Sequence, residues 1–228
     1  MTPEDRIHAL GIWQGPIEIV PIAGGITNRN YLVRDRAVRR VVRLGEDIPV
    51  HHISRQNELA ASQAAHAAGL SPAVIHHAPG VLVLDYIESK ALLPDDLRRS
   101  EMLERVIPLV RACHHDIARE FRGAAAIFWV FHVIRDYIAN LEAANSPYRQ
   151  LFPDLLAKAE RLEAAGGPFE IAFGHNDMLE VTNPTRYRGR KPGFPRASTT
   201  HCSIAISSIS SRSWNRLSDV SRRSKTSA

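Results

Sequence analysis

The spacing of apolar positions changes character partway along the chain. Up to about residue 88 they come in short β-prone runs: Ile17–Val20, Tyr31–Val33 and Arg39–Leu44, the last ended by Gly45. Ala23–Asn30 (Ala-Gly-Gly-Ile-Thr-Asn-Arg-Asn) separates the first two. Short runs punctuated by glycine predict an antiparallel meander with a glycine-bearing turn between its first two strands. Ser54–Ala68 is alanine-rich, with Ser54 placed to cap it and Gly69 to stop it, and predicts a helix. Gly80–Ile87 contains an unbroken Val-Leu-Val-Leu, the mark of a buried strand.

Beyond residue 88 the period lengthens. Leu103, Ile107, Val110, His114 and Ile117 recur at three- and four-residue spacings, as do Phe131, Ile134, Ile138 and Leu141, and Leu151–Ala165 continues the pattern. These are amphipathic helices. Strands followed by helices indicate an α+β chain in two lobes: a sheet-containing lobe over 1–88 and a helical one over 89–183, divided near Glu88–Asp95. From Pro184 onward periodicity is lost. Residues 184–228 are rich in serine and arginine, with one apolar interruption at Ile204–Ile209. Such a composition buries too little surface to offset chain entropy and predicts disorder.

At 228 residues the chain is long enough for one sizeable domain or two small lobes, and its 44% hydrophobic and 23% charged content is ordinary for a soluble protein. No run approaches the roughly 18–20 apolar residues needed to span a bilayer. Met1–Asp5 is polar and acidic, unlike a secretory signal. Cys113 and Cys202 do not make a disulfide framework or a zinc site. A reducing, cytoplasmic compartment is the expectation. The net charge of +5 is unevenly spread, because ten of the 29 Lys/Arg but only one of the 24 Asp/Glu, Asp219, fall in 184–228. The body is mildly acidic and the tail strongly basic, an asymmetry that raises nucleic-acid binding. The tail lacks interleaved aromatics or a helix-turn-helix, so no specific nucleic-acid partner is expected.

Three groups of residues carry candidate chemistry. Gly24-Gly25-Ile26-Thr27-Asn28 lies between two predicted strands, where glycines admit a phosphate close to the backbone and Thr27 and Asn28 can donate to it. A glycine pair in a hairpin is more often only a turn, and Walker-type spacing is absent. Arg43 ends the third strand and Glu58 follows on the helix. A strand-borne cation held by a helix-borne carboxylate is how kinases fix a charge against nucleotide phosphates; the plainer reading is a surface ion pair. Phe173-Gly174-His175-Asn176-Asp177 follows an apolar segment. There Asp177 can accept a hydrogen bond from a substrate hydroxyl and His175 can brace the loop, as phosphoryl transfer to an alcohol requires. The pairs His51-His52, His76-His77 and His114-His115 point to different sides of an element and make poor metal sites. Phe128, Trp129, Phe131 and Tyr137 are ordinary core at helical spacing, or else part of an aromatic pocket for a quaternary ammonium.

Taken together, Gly24–Tyr31, Val41-Val42-Arg43-Leu44 and Gly174-His175-Asn176-Asp177 resemble the choline/ethanolamine kinase family, within the wider aminoglycoside-phosphotransferase and protein-kinase-like fold. The resemblance spans residues 17–179 or so. It implies a two-lobed kinase-like fold with an incomplete helical lobe. It also implies ATP and Mg²⁺ as cofactors and a small amino alcohol, such as choline or ethanolamine, as the acceptor. In that reading Asp177 and His175 are catalytic. Gly24, Gly25, Thr27, Asn28, Arg43 and Glu58 hold the triphosphate, and the hinge Leu84–Glu88, with Asp85, Tyr86 and Ile87, meets the adenine.

The chain departs from the family pattern after Asp177. The expected metal-binding Asn five residues on is Thr182, with Asn183 one place late, and no Asp occurs between Asp177 and Asp219 to supply the second metal carboxylate. A frameshift would account for the break in composition, the basic tail and the lost motif together. Codons for Ala197–Ile204, read two nucleotides into the first, can encode Phe-Asn-Asn-Pro-Leu-Phe-Asp, which resembles a family segment following the metal-binding Asp. The expectation is impaired phosphotransfer, with a nucleotide-binding pseudokinase as the alternative and nonspecific nucleic-acid binding by the tail as a weaker one.

Overall fold

In the computed structural model the described residues are 1–22, 27–88, 92, 94–168, 170–174 and 205–209. They fall in two compact units, one over residues 1–125 and the other over 126–174 together with the strand at 205–209.

The first unit is built on a five-stranded antiparallel sheet in the order β1-β2-β3-β5-β4: β1 Ile17–Ile22, β2 Arg29–Asp35, β3 Val38–Leu44, β4 Val74–Ala78 and β5 Val81–Asp85. The predicted meander is β1-β2-β3, and the predicted Val-Leu-Val-Leu strand is β5. Antiparallel neighbours often leave one face wet, but β5 lies inside the sheet and all four of its apolar residues are buried, which is why no polar alternation interrupts it.

The two faces are covered by different elements. On one, Tyr31, Val33, Val42, Leu44, Val81 and Val83 enclose Ile7 of α1 (Pro3–His8), with Leu10, Ile12 and Trp13 packed around them. On the other, Val41, Leu82 and Leu84 take Leu59 of α2 (Arg55–Ala67). Ser54 caps α2 as expected, its hydroxyl accepting from the Asn57 amide at 3.4 Å.

The α1 helix and β4 add to the sequence expectations. Thr2 and Asp5 form a capping box, each side chain accepting from the other's backbone amide, with Pro3 at the first helical position. After Glu88 come the short α3 (Pro94–Leu97) and the long α4 (Ser100–Glu120), which packs on α2 and so belongs to the first unit. Of its predicted apolar stripe Ile117 is buried, while Leu103 and Ile107 stay exposed among the described residues.

The second unit holds α5 (Val130–Ala143) and α6 (Phe152–Ala165), packed together, and β6 (Glu170–Gly174) paired antiparallel with β7 (Ala205–Ile209). The β7 strand is a difference from the sequence reading, which placed these residues in a tail without structure. It coincides with the one apolar interruption there, whose backbone pairs residue for residue with β6. The remainder of the tail lies outside the described residues. Trp129 Nε1 donates to Glu163 Oε1 at 2.5 Å, and Arg135 pairs with the same carboxylate, so its bonds hold that carboxyl below its ordinary value. No helix among the described residues is long and apolar enough to cross a membrane.

Candidate functional site

The register of the sheet gathers one polar cluster in the first unit. Asn30 on β2 stands opposite Arg43 on β3, which stands opposite Leu82 on β5. Alternation therefore aims Arg43 at the face that α2 covers, beside Val41 two residues earlier. Glu58 sits in the first turn of α2, and Leu59 beside it packs into the sheet. The Arg43 guanidinium, 3% exposed, donates through Nη1 to Glu58 Oε1 and through Nε to Asn30 Oδ1 at 3.3 Å. The predicted pair is thus formed, and it is buried, not a surface pair.

A second arginine completes the cluster. Arg55 Nη1 donates to Glu58 Oε2 at 2.7 Å, Nε to the Glu46 carbonyl at 2.9 Å, and Nη2 to the Thr27 carbonyl at 3.2 Å. Burial raises the Glu58 carboxyl, but the Arg43 charge and the hydrogen bonds from Arg55 and Arg43 outweigh it and hold the group below the ordinary carboxylate range. Two guanidinium groups share the one Glu58 carboxylate, and the Asp47 carboxylate accepts from the Arg55 backbone amide at 2.6 Å. Arg43 Nη2 is buried and has no hydrogen-bond partner among the described residues. A buried guanidinium with an unused donor is costly unless something accepts from it, and anionic oxygen is what such a donor fits.

Close approach at this cluster requires Gly45. A Cβ there would lie 2.5 Å from Asn28 Oδ1 and 2.7 Å from Arg55 Nη2. Asn28 is 7% exposed, and its Oδ1 also lacks a partner among the described residues. Sequence reasoning missed Asn30, Gly45 and Arg55. The available signals were the cross-strand position of Asn30 and the three-residue step from Arg55 to Glu58 on one helix face.

The proposed hinge leaves the sheet at the end of β5. Asp85 pairs with Arg40, its Oδ1 also accepting from the Tyr86 amide at 3.1 Å. Arg39 lies over the Tyr86 ring, 4.4 Å from its centroid, and reaches Glu88 at 3.3 Å. Ile87 is half exposed. Arg39 and Arg40 thus bracket the segment from β3.

Several expected residues fall outside the described residues: Gly24, Gly25, His175, Asn176, Asp177, Thr182 and Asn183. What is described is their approach, with β1 ending at Ile22, the chain resuming at Thr27, and β6 ending at Gly174 just before His175. Among the described residues no group of three or more His, Cys, Asp or Glu is placed to hold a metal ion. His76 and His77 lie on opposite faces of β4. In the aromatic group, Trp129 meets Phe131 edge-on with centroids 5.4 Å apart, and its indole N–H is committed to Glu163.

Comparison with known proteins gives a consistent fold. No protein-family model matches the chain, and no curated protein does. Among solved structures it is similar to an ethanolamine kinase of Plasmodium vivax, with a TM-score of 0.58 at 16% identity over 72% of this chain and 51% of that one. A choline/ethanolamine kinase family protein from Mesorhizobium loti gives a TM-score of 0.50 at 26% identity, covering 74% and 54%. The choline kinase LicA of Streptococcus pneumoniae gives 0.55 at 20% identity, covering 78% and 60%. LicA in complex with AMP also matches. The chain spans 51–60% of the length of these three structures. The described part of the chain has the fold of the choline and ethanolamine kinases.

Proposed function

We propose that this chain is an ATP-dependent phosphotransferase of the choline/ethanolamine kinase type, acting on the hydroxyl of a small amino alcohol. The observation that carries the reading is the buried Arg43–Glu58 pair with its spare Nη2 donor, joined through Arg55 to Thr27 on a sheet of this fold. The orphaned donor fits a nucleotide's phosphates. The match to LicA with AMP supports a nucleotide as ligand. Thr27 and Asn28, with Gly24 and Gly25 just before them in sequence, are the residues assigned to those phosphates. Tyr86 and Ile87, following Asp85, form the hinge toward the base.

In the transfer step Asp177 accepts the hydrogen bond of the acceptor hydroxyl and aims it in line with the γ-phosphorus, while His175 braces the loop. Mg²⁺, when bound, would neutralise charge on the transferring group, a contribution of several kcal/mol. Asn183 is the candidate ligand. Among the described residues no cluster of His, Cys, Asp or Glu offers the ion a site.

Turnover is expected to be low, because no Asp occurs between Asp177 and Asp219. Every 1.4 kcal/mol or so of lost stabilisation is tenfold in rate. The test is to incubate the full chain with ATP, Mg²⁺ and either choline or ethanolamine, following nucleotide binding and phosphorylated product separately. ATP binding with product at a rate several orders below the roughly 10 s⁻¹ median of enzymes supports the reading. Folded protein that binds no ATP overturns it, and turnover at an ordinary rate overturns the impairment. ATP binding with no product favours the pseudokinase, a reading that the missing carboxylate also supports.

A further inference from the structure

A buried guanidinium facing a carboxylate ordinarily closes a two-pronged fork, with both terminal nitrogens donating to both oxygens. Here it does not. Glu58 gives Oε1 to Arg43 and Oε2 to Arg55, so Arg43 is held by one prong and its Nη2 is left over. Arg55 is in turn anchored at all three guanidinium nitrogens, which donate to protein oxygen on Glu46, Glu58 and Thr27. Two of its five N–H groups remain, but these three bonds fix the group against its neighbours.

We propose that Arg55 is a positioning residue that restricts Glu58 to a single-oxygen grip on Arg43, keeping Arg43 Nη2 open for an anionic phosphate oxygen. The inference rests on the phosphotransferase reading and extends it to a residue outside the Arg43–Glu58 pair. Without Arg55, the second Glu58 oxygen loses its bond, and Arg43 Nη2, a buried donor with no partner among the described residues, closes the fork. The same guanidinium also binds the Thr27 carbonyl, so Thr27 and the phosphate-facing arginine are set by one group. Gly45 admits it, since a Cβ there would lie 2.7 Å from Nη2 of Arg55.

The experiment measures ATP and adenosine dissociation constants for the full chain and for Arg55→Gln, Glu58→Gln, the double variant and Arg55→Lys. If Arg55 keeps the donor open, Arg55→Gln weakens ATP by about tenfold or more, 1.4 kcal/mol at least, and leaves adenosine within about twofold. In the Glu58→Gln background the same change costs less than about threefold, because a neutral amide no longer closes a charged fork on Arg43. Arg55→Lys, which still offers a cation to Glu58 Oε2, stays within about threefold of the parent and serves as the test if Arg55→Gln does not fold. The inference is overturned if Arg55→Gln binds ATP as the parent does. It is equally overturned if ATP and adenosine weaken together, if the losses simply add in the double variant, or if Arg55→Lys fails to rescue. If the folded parent binds no ATP at all, the phosphotransferase reading itself has failed and the inference falls with it.

Discussion

Replacing Glu58 by alanine removes the carboxylate from between two guanidinium groups. Arg43 is 3% exposed on its side chain, so water does not replace what is lost. Its Nη1 becomes a second orphan beside Nη2, and the guanidinium keeps the Asn30 bond at 3.3 Å. Breaking one half of a buried pair costs about 3–5 kcal/mol. Against a typical folding stability of about 5–15 kcal/mol, that is a large fraction. Arg55 adds less, since it keeps the Glu46 and Thr27 carbonyls. Removing both partners is different in kind: Arg43→Met with Glu58→Leu takes both charges out of a dry site and is expected to recover most of the loss. The assay is urea unfolding, paired with amide exchange at Val42 and Val83, which are fully buried in the sheet. A Glu58→Ala loss under about 1 kcal/mol, or a double variant no more stable than the single, would refute the reasoning that the pair is buried and costly to break.

Gly45→Ala should be destabilising by about 1–3 kcal/mol and should weaken ATP binding, because the new methyl meets Asn28 and Arg55 inside contact distance; denaturant midpoint and ATP titration check it. Glu58 has its folded-state value depressed, so its stabilisation is complete above the ordinary glutamate value of about 4.3 and is lost as pH falls through the lower folded value. Urea midpoints measured downward from pH 6 should therefore drop more steeply for the parent than for Glu58→Gln. Ile7→Ala should cost about 2–5 kcal/mol, since α1 places Ile7 fully buried under the sheet; an unchanged thermal midpoint would show that α1 is not part of that core.

The parts of the fold that were legible are those whose pattern records burial. The unbroken apolar run of β5 reflects a strand that is covered, and in α5 and α6 the period is helical although burial is confined to Val133, Ile138, Phe152 and Ala159. Val74–Ala78 was not legible as a strand, because it pairs at the sheet edge, carries two adjacent histidines and turns Ile75 outward. The α1 helix is short enough for its period to be unreadable, although Thr2, Pro3 and Asp5 spell its cap. At the site, the residue types of Arg43 and Glu58 with their order in the chain were enough to pair them. Asn30 depends on register and Arg55 on how α2 is seated, and neither is a local property of sequence. In α4 the periodicity marks Leu103 and Ile107, yet the described residues do not cover them. A stripe says that a face is apolar, not that something is packed on it.

The central claim is that Arg43 offers a buried donor to nucleotide phosphates. Its most direct test is calorimetric titration of the full chain and of Arg43→Met with ATP, with adenosine as the phosphate-free control. The parent is expected to bind ATP and Arg43→Met to bind it about tenfold more weakly or worse, with adenosine unchanged. Equal ATP affinity in the two proteins would contradict it.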